Sequence, residues 1–205
     1  VVYLYAERVA PYPAARYRSL LERLMADGYV FILPRHYSCV NSPKLAIIVH
    51  DVDFSVSGVA VFISIESEMH IKSGFYIRPD ADYFTQNVEY FQALEQQGWE
   101  IGFHYDCLSR SARDLSQASR LFEAQLVYLR TFFNISTTRY HGDSYNLNIV
   151  NRDLYVLNQN IWRQNGLKEI SNLEGWSYIS DTNHQWSQPE KLGNFILINL
   201  HSDWW

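Results

Sequence analysis

The stretch Lys44 to Phe54, KLAIIVHDVDF, restricts the fold more than any other part of the chain. Leu45 to Val49 form an uninterrupted apolar run, the pattern of a strand covered on both faces, and it passes directly into His50, Asp51, Val52 and Asp53. Side chains alternate along a strand, so Asp51 and Asp53 share a face with Ile47 and Val49, while His50 and Val52 share the other. Two acids at the carboxyl end of a buried parallel strand sit where α/β folds carry out chemistry. Their repulsion favours a bound cation or a shared proton. The same residues also suit a plain loop start, with an Asp, Ser55 or Ser57 capping the next helix.

Around this strand, helical and extended patterns alternate. Tyr17, Leu20, Leu21, Leu24 and Met25 recur at helical spacing, predicting a helix over 13–27 that Gly28 stops. A strand is predicted over 29–33, a loop over 34–43, and a helix over 57–70 with Val61, Ile65 and Met69 on its inner side. Further strands are predicted over 72–78, 99–106, 137–141, 176–181 and 195–201, with helices over 82–97, 112–133, 151–160 and 161–165. The longest of these helices would bury Leu115, Leu121, Phe122, Leu126 and Leu129. Short connections between alternating elements predict an α/β fold, a distorted (β/α) barrel of mostly parallel strands wrapped by helices. The chain reads as one domain over 1–205, with a barrel core at 44–205 preceded by a helix and strand extension at 1–43.

Composition narrows the partners. The net charge is −5 and no Lys/Arg run occurs, which argues against nucleic acid or an acidic membrane. A neutral, polar ligand fits better, and 15 Tyr and 6 Trp offer flat faces on which a sugar ring could stack. No apolar run reaches the length of a membrane span, and the start of the chain, which is Val rather than Met, shows no signal-peptide pattern. Cys39 and Cys107 alone make no disulfide framework, so a reducing, cytoplasmic setting is the expectation. The oligomeric state stays open.

The ends of the predicted strands carry the functional signal. His104 and Asp106 share one face at the end of the third core strand, Arg139 and His141 share one at the next, and later strands end at Asp181 and His201. If the strands are parallel neighbours, these residues converge with Asp51 and Asp53 on one mouth. Taken singly, each also suits a hydrogen-bonded structural role, and Arg139 could simply neutralise Asp51 or Asp53.

In this order the motifs resemble those of the polysaccharide deacetylases, carbohydrate esterase family 4 with its NodB-homology domain. HDVD at 50–53, EIGFHYD at 100–106, RYHGDSYN at 139–146, DTNHQW at 181–186 and LINLH at 197–201 are similar to its five successive motifs. The resemblance implies hydrolysis of an N-acetyl or similar acyl group on an amino sugar or glycan. It assigns Asp51 as general base, Asp53 and His104 as ligands of a divalent metal, zinc by family habit, and Arg139 as the residue orienting the base. His201 would protonate the leaving amine, with Asp181 and Trp186 tuning it and packing behind it, and a backbone N–H near Tyr140 or His141 would face the oxyanion. The family's second metal-binding His, four residues after the first, is replaced by Leu108. Zinc needs a third protein ligand; His141 is the first candidate and Asp106 the second. Tyr140 and His141 also stand where the family tends to have prolines.

Three other readings remain. DxD is how many glycosyltransferases hold a cation and a nucleotide sugar, although this leaves His104, Arg139 and His201 without a role. The domain could bind sugar without turnover. Asp51 paired with Asp106 or Asp181 could act as glycosidase carboxylates do. Tyr105, Tyr140, Tyr145, Trp186, Trp204 and Trp205 are candidates for a stacking rim, with the last residues closing the site.

Overall fold

Strand pairings run parallel throughout, and this places every carboxyl-terminal strand end on the same side of the molecule. The computed structural model of the chain describes residues 10–143, 148–171 and 173–205. Its strands are β1 (Val30–Ile32), β2 (Leu45–Val52), β3 (Gly74–Ile77), β4 (Glu100–Tyr105), β5 (Thr137–Tyr140), β6 (Lys168–Glu169), β7 (Ser177–Ser180) and β8 (Phe195–His201). They form one curled sheet in the order β6-β5-β4-β3-β2-β8-β7, a distorted barrel that stays open between β6 and β7 among the described residues. Strand β8 runs along β2 from Leu45 to Asp51. The other edge of β2 is therefore shared, with β1 pairing at Leu45–Ile47 and β3 at Val49–Val52.

The alternation predicted for β2 divides two apolar layers. Ile47 and Val49 point into the barrel with Tyr76, Ile170 and Leu197. Ala46, Ile48 and Val52 point outward into the larger core beneath the helices. Every residue of β2 is buried, as a strand covered on both faces requires. Gly102 makes room for the Tyr76 ring inside the barrel: a Cβ there would lie 2.2 Å from the ring.

The helices are α1 (Ala14–Ala26), α2 (Val59–Glu68), α3 (Val88–Gln96), α4 (Cys107–Arg110), α5 (Leu115–Arg130), α6 (Arg152–Leu157) and α7 (Gln159–Gln164). The inner face of α2 is Val59, Phe62, Ile65 and Glu66, whereas Val61 and Met69 are only partly buried. Neither Ser55 nor Ser57 caps it; the N-cap is Gly58, where a Cβ would come 2.2 Å from the Ser202 carbonyl oxygen. The long helix predicted over 112–133 starts later, because Ala112 and Arg113 take left-handed φ values of 46° and 71° and separate α4 from α5. Asp114 caps α5 by accepting from the Gln117 N–H. Its buried face is Ala118, Phe122, Leu126 and Leu129. Residues 82–87 form turns ahead of the shorter α3.

The segment before residue 44 is integrated into this architecture: β1 joins the sheet, and α1 buries Tyr17, Leu20, Leu21 and Leu24. Both cysteines are free thiols, Cys39 exposed and Cys107 buried. Among the described residues, no helix is long and apolar enough to cross a membrane.

Candidate active site

Register decides which side chains meet. Asp51 lies beside His201 on β8, and His104 lies beside Arg139 on β5. The ladder continues one residue past β5, where the His141 N–H donates to the Tyr105 carbonyl at 2.7 Å, so His141 sits over the end of β4. Asp51, Asp53, His104, Arg139, His141 and His201 all line one cleft of about 770 Å³ at the carboxyl-terminal mouth of the barrel. That volume suits a small ligand.

Arg139 grips Asp51 in a two-pronged pair, with Nε 3.0 Å from Oδ1 and Nη2 3.4 Å from Oδ2. Its third contact is the Ile170 carbonyl, 3.3 Å from Nη1. Burial works to raise the Asp51 pKa, but Arg139 and then His104 and His201 outweigh it and hold this carboxyl below its ordinary value. Across Asp51 stands His201, with Nε2 3.7 Å from Oδ2. Its Nδ1 meets Asp181 Oδ1 at 2.7 Å, and both Asp181 oxygens accept from the His201 backbone N–H. Burial opposes a charge on His201, but the Asp181 hydrogen bond, then Asp53 and Asp51, raise its pKa to about 9. Asp181 is itself fully buried. The tryptophan behind it is Trp205, whose Nε1–H donates to Asp181 Oδ2 at 2.6 Å. Trp186, expected in that place, instead packs beneath the Arg16 guanidinium, 4.3 Å from its ring centre.

Asp53, His104 and His141 each offer one donor atom, all within 4.8 Å of one another. Nε2 of His104 is 3.1 Å and Nε2 of His141 3.5 Å from Asp53 Oδ1. Two ligands on a tetrahedral zinc ion at ordinary bond lengths stand about 3.3 Å apart, which matches both spacings. The outer nitrogens complete the arrangement. His104 Nδ1 lies 3.2 Å from the Arg139 carbonyl and His141 Nδ1 2.8 Å from that of Gly142. Carbonyls only accept, so each Nδ1 carries a proton, and Nε2 is the nitrogen that each ring turns toward Asp53. Asp53 Oδ1 is buried without a hydrogen bond of good geometry. Two imidazole nitrogens and one buried carboxylate oxygen form a donor set that fits a divalent cation. Burial would raise the Asp53 pKa, but hydrogen bonds from the two imidazoles, and their positive charge when protonated, hold it well below the usual carboxylate range.

His141, the first candidate for a third ligand, is thus brought together with Asp53 and His104. Asp106 is not, because Arg78 Nη2 binds its carboxylate at 2.8 Å. Leu108 is buried in the apolar core under the helices, so its position in the sequence does not reach the cleft. The expected oxyanion donors are already engaged: the Tyr140 N–H donates to Ser171 Oγ and the His141 N–H to Tyr105. Of the expected aromatic rim, Tyr140 and Trp204 line the cleft, Tyr105 and Trp205 are buried, and Tyr145 lies outside the described residues.

Two cleft-side residues were not anticipated. Arg78 follows β3 directly, so the polar-strand-end pattern that flagged the other residues applies to it as well. Asp203 accepts from the backbone N–H groups of Asp53 and Phe54, at 3.3 and 3.4 Å. Burial and the charge of Asp53 push its carboxyl up to about 6. Nothing in the local sequence near 203 signals that contact with a residue 150 positions away.

No protein-family model and no curated protein matches this chain. Solved structures do share its fold. The catalytic domain of a peptidoglycan N-acetylglucosamine deacetylase from Eubacterium rectale aligns with a TM-score of 0.54 at 12% identity, covering 80% of this chain and 79% of that one. A Streptococcus mutans CE4 esterase aligns with a TM-score of 0.54 at 14% identity, over 87% and 82% of the two chains. A family 4 carbohydrate esterase from Streptomyces lividans, solved in complex with acetate, gives 0.51 at 16% identity, over 79% and 81%. The chain therefore has the fold of the family 4 carbohydrate esterases, in keeping with the order of its motifs.

Proposed function

We propose that the chain is a divalent-cation-dependent carbohydrate N-deacetylase, removing an acetyl or similar acyl group from an amino sugar. One observation carries this reading. A base held by an arginine, a histidine held protonated by a buried acid, and a carboxylate with two imidazoles aimed at one point all open into the same cleft. The fold neighbours whose names specify sugar deacetylation and carbohydrate esterase activity favour an acylated saccharide as the substrate.

Asp53, His104 and His141 would hold the cation, and zinc is the first expectation for two nitrogens and one oxygen. Once bound, such an ion polarises the acyl carbonyl and makes a water acidic near neutral pH. Asp51 then takes the proton from the attacking water, with Arg139 fixing the carboxylate that receives it. Its lowered pKa makes Asp51 a weak base, adequate for an acidified water but not for bulk water. His201 is protonated at neutral pH and gives its proton to the amide nitrogen as the C–N bond breaks, so the products are a carboxylate and a free amino sugar. Asp181 and Trp205 keep the ring in the orientation that points Nε2 at Asp51.

The test is acetate release from N-acetylated glucosamine oligomers by the purified protein, before and after chelation, alongside metal analysis of the parent and of His104→Ala. Chelator-sensitive release, with the metal lost in the variant, is expected. Saccharide affinity without acetate release or metal would instead identify a binding domain.

A further inference from the structure

Arg78 stands in the wall of the cleft, and the chemistry above makes no use of it. Only 6% of the residue is exposed. Its Nη2 donates to Asp106 Oδ2 at 2.8 Å and to Asp80 Oδ2 at 3.2 Å, and Arg110 binds the same Asp80 oxygen. Its Nε faces no acceptor among the described residues. The remaining arm, Nη1, lies 3.4 Å from Nε2 of His141.

That last contact is the informative one. Nδ1 of His141 donates to the Gly142 carbonyl, so in the neutral ring, the form that can bind a cation, Nε2 offers a single lone pair lying in the ring plane. The same nitrogen is 3.5 Å from Asp53 Oδ1 and forms one corner of the Asp53–His104–His141 donor set. A guanidinium N–H and a cation cannot both use one lone pair. We propose that Arg78 is a positioning residue that limits the cation affinity of this centre by competing for Nε2 of His141. The proposal rests on reading that centre as a divalent-cation site.

Two effects act in the same direction. A cation must displace Nη1 from the imidazole, and it must then sit within a few ångströms of a fixed positive charge that Arg78 cannot lose. Asp106 and Asp80 supply the anchor: when Nη1 lets go, the guanidinium keeps both carboxylate contacts and need not leave its pocket. Removing the arginine should therefore tighten cation binding, although it deletes a buried charged group.

The experiment uses two variants of the whole chain. Arg78→Gln is neutral and keeps an N–H for Asp106. Arg78→Met/Asp106→Asn removes the buried acid and base together, so neither is left unpaired. Zinc affinity would be measured by competition with a chromogenic chelator, Co²⁺ binding by visible absorption, and folding by circular dichroism. We expect both variants to bind zinc about tenfold more tightly than the parent, the lower end of what partners of metal ligands usually contribute. Equal or weaker affinity in the folded variants, with the parent still binding zinc, overturns the role of Arg78 and leaves the centre standing. Tightening confined to variants that retain Asp106 would mean that the freed carboxylate had become a ligand, and overturns it too. Absence of stoichiometric zinc or cobalt in all three proteins removes the centre and the proposal together. Independently of any substitution, a crystal structure of the parent loaded with Co²⁺ should show Nη1 withdrawn from Nε2 with the Asp106 pair intact. Nη1 still against Nε2 beside a bound ion would refute the competition.

Discussion

Two buried polar clusters lie back to back on β2, separated by the thickness of one strand. On the helix side, Glu66 Oε1 accepts from Tyr17 at 2.8 Å and meets His50 Nε2 at 2.6 Å, while Oε2 accepts from Ser73 at 2.7 Å and Trp99 at 2.8 Å. The His50 ring is stacked on Phe62 and Phe75. On the barrel side, beginning at the very next residue, Asp51 is held by Arg139 and faces His201, while Asp53 Oδ1 is buried without a hydrogen bond of good geometry between His104 and His141. The first cluster gives each carboxylate oxygen two donors and leaves no room for anything else. The second leaves a carboxylate oxygen and two imidazole nitrogens close enough together to hold a cation. A buried acid with all its donors in place is part of the scaffold, whereas one left with an oxygen lacking a well-made hydrogen bond points to a ligand.

Substitutions on the two faces should therefore fail in different ways. The largest effect is expected for Asp51→Asn, which removes the base: acetate release should fall by about 10³-fold or more. Asn keeps an oxygen for Arg139, so the urea midpoint should move far less than the activity does. A variant with near-parental turnover would remove Asp51 from the chemistry and dissolve the contrast. On the opposite face, Glu66→Gln replaces one of two acceptor oxygens by an NH₂ in a pocket where four donors converge, the Trp99 indole N–H among them, and removes the charge they solvate. The expected loss is about 3 kcal/mol of unfolding free energy, read by urea denaturation, with kcat/KM at low temperature close to the parent's. Lost activity in a still-folded Glu66→Gln protein would mean that the two clusters communicate through His50 and Asp51.

The same contrast explains what the sequence could and could not disclose. The apolar run ending in HDVD placed β2, and strict alternation assigned His50 to one face and Asp51 and Asp53 to the other, as the structure has them. The span 195–201 of β8 was equally legible, being seven residues of nearly unbroken apolar sequence. By contrast β6, only two residues long, has no periodicity to read. The inner face of α2 was misassigned because VAVFISIE is apolar almost all round, leaving the phase undetermined until Glu66 is seen to be the buried polar residue. His141 could be named as a possible third ligand from its position at a strand end. Which of Trp186 and Trp205 would back Asp181 depended on where the last turn of chain folds, and no local pattern encodes that.

A smaller effect, of about tenfold at neutral pH, is expected for Asp181→Asn, which weakens the hold on the proton of His201. The direction follows from the sign of the shift. His201 acts as an acid below its pKa of about 9, and loss of Asp181 lets burial draw that value back toward 6.5 or below, so the alkaline limb of the pH–rate profile should move to lower pH. Stability carries the same signature. A raised histidine pKa stabilises the fold fully below about 6.5, and this contribution is lost as the pH rises through about 9. Urea midpoints at pH 6 and pH 9.5 should therefore differ less in Asp181→Asn than in the parent, and an unchanged difference would take Asp181 out of this coupling.

Trp205→Phe should give the smallest effect, and its sign separates positioning from packing. Phenylalanine keeps an aromatic ring against Tyr17 and Phe62 but cannot donate to Asp181 Oδ2. A carboxylate that loses a donor holds the proton of its remaining partner more tightly, so the alkaline limb should move to higher pH, opposite to Asp181→Asn and by less. The accompanying loss of stability should be about 1 kcal/mol, one buried hydrogen bond with the ring retained. If Trp205 served only to fill space, the stability would fall without any displacement of the limb. A displacement toward lower pH would mean that the indole holds Asp181 in place for His201, so that losing it loosens the pair, and the two explanations are told apart by one pH–rate profile.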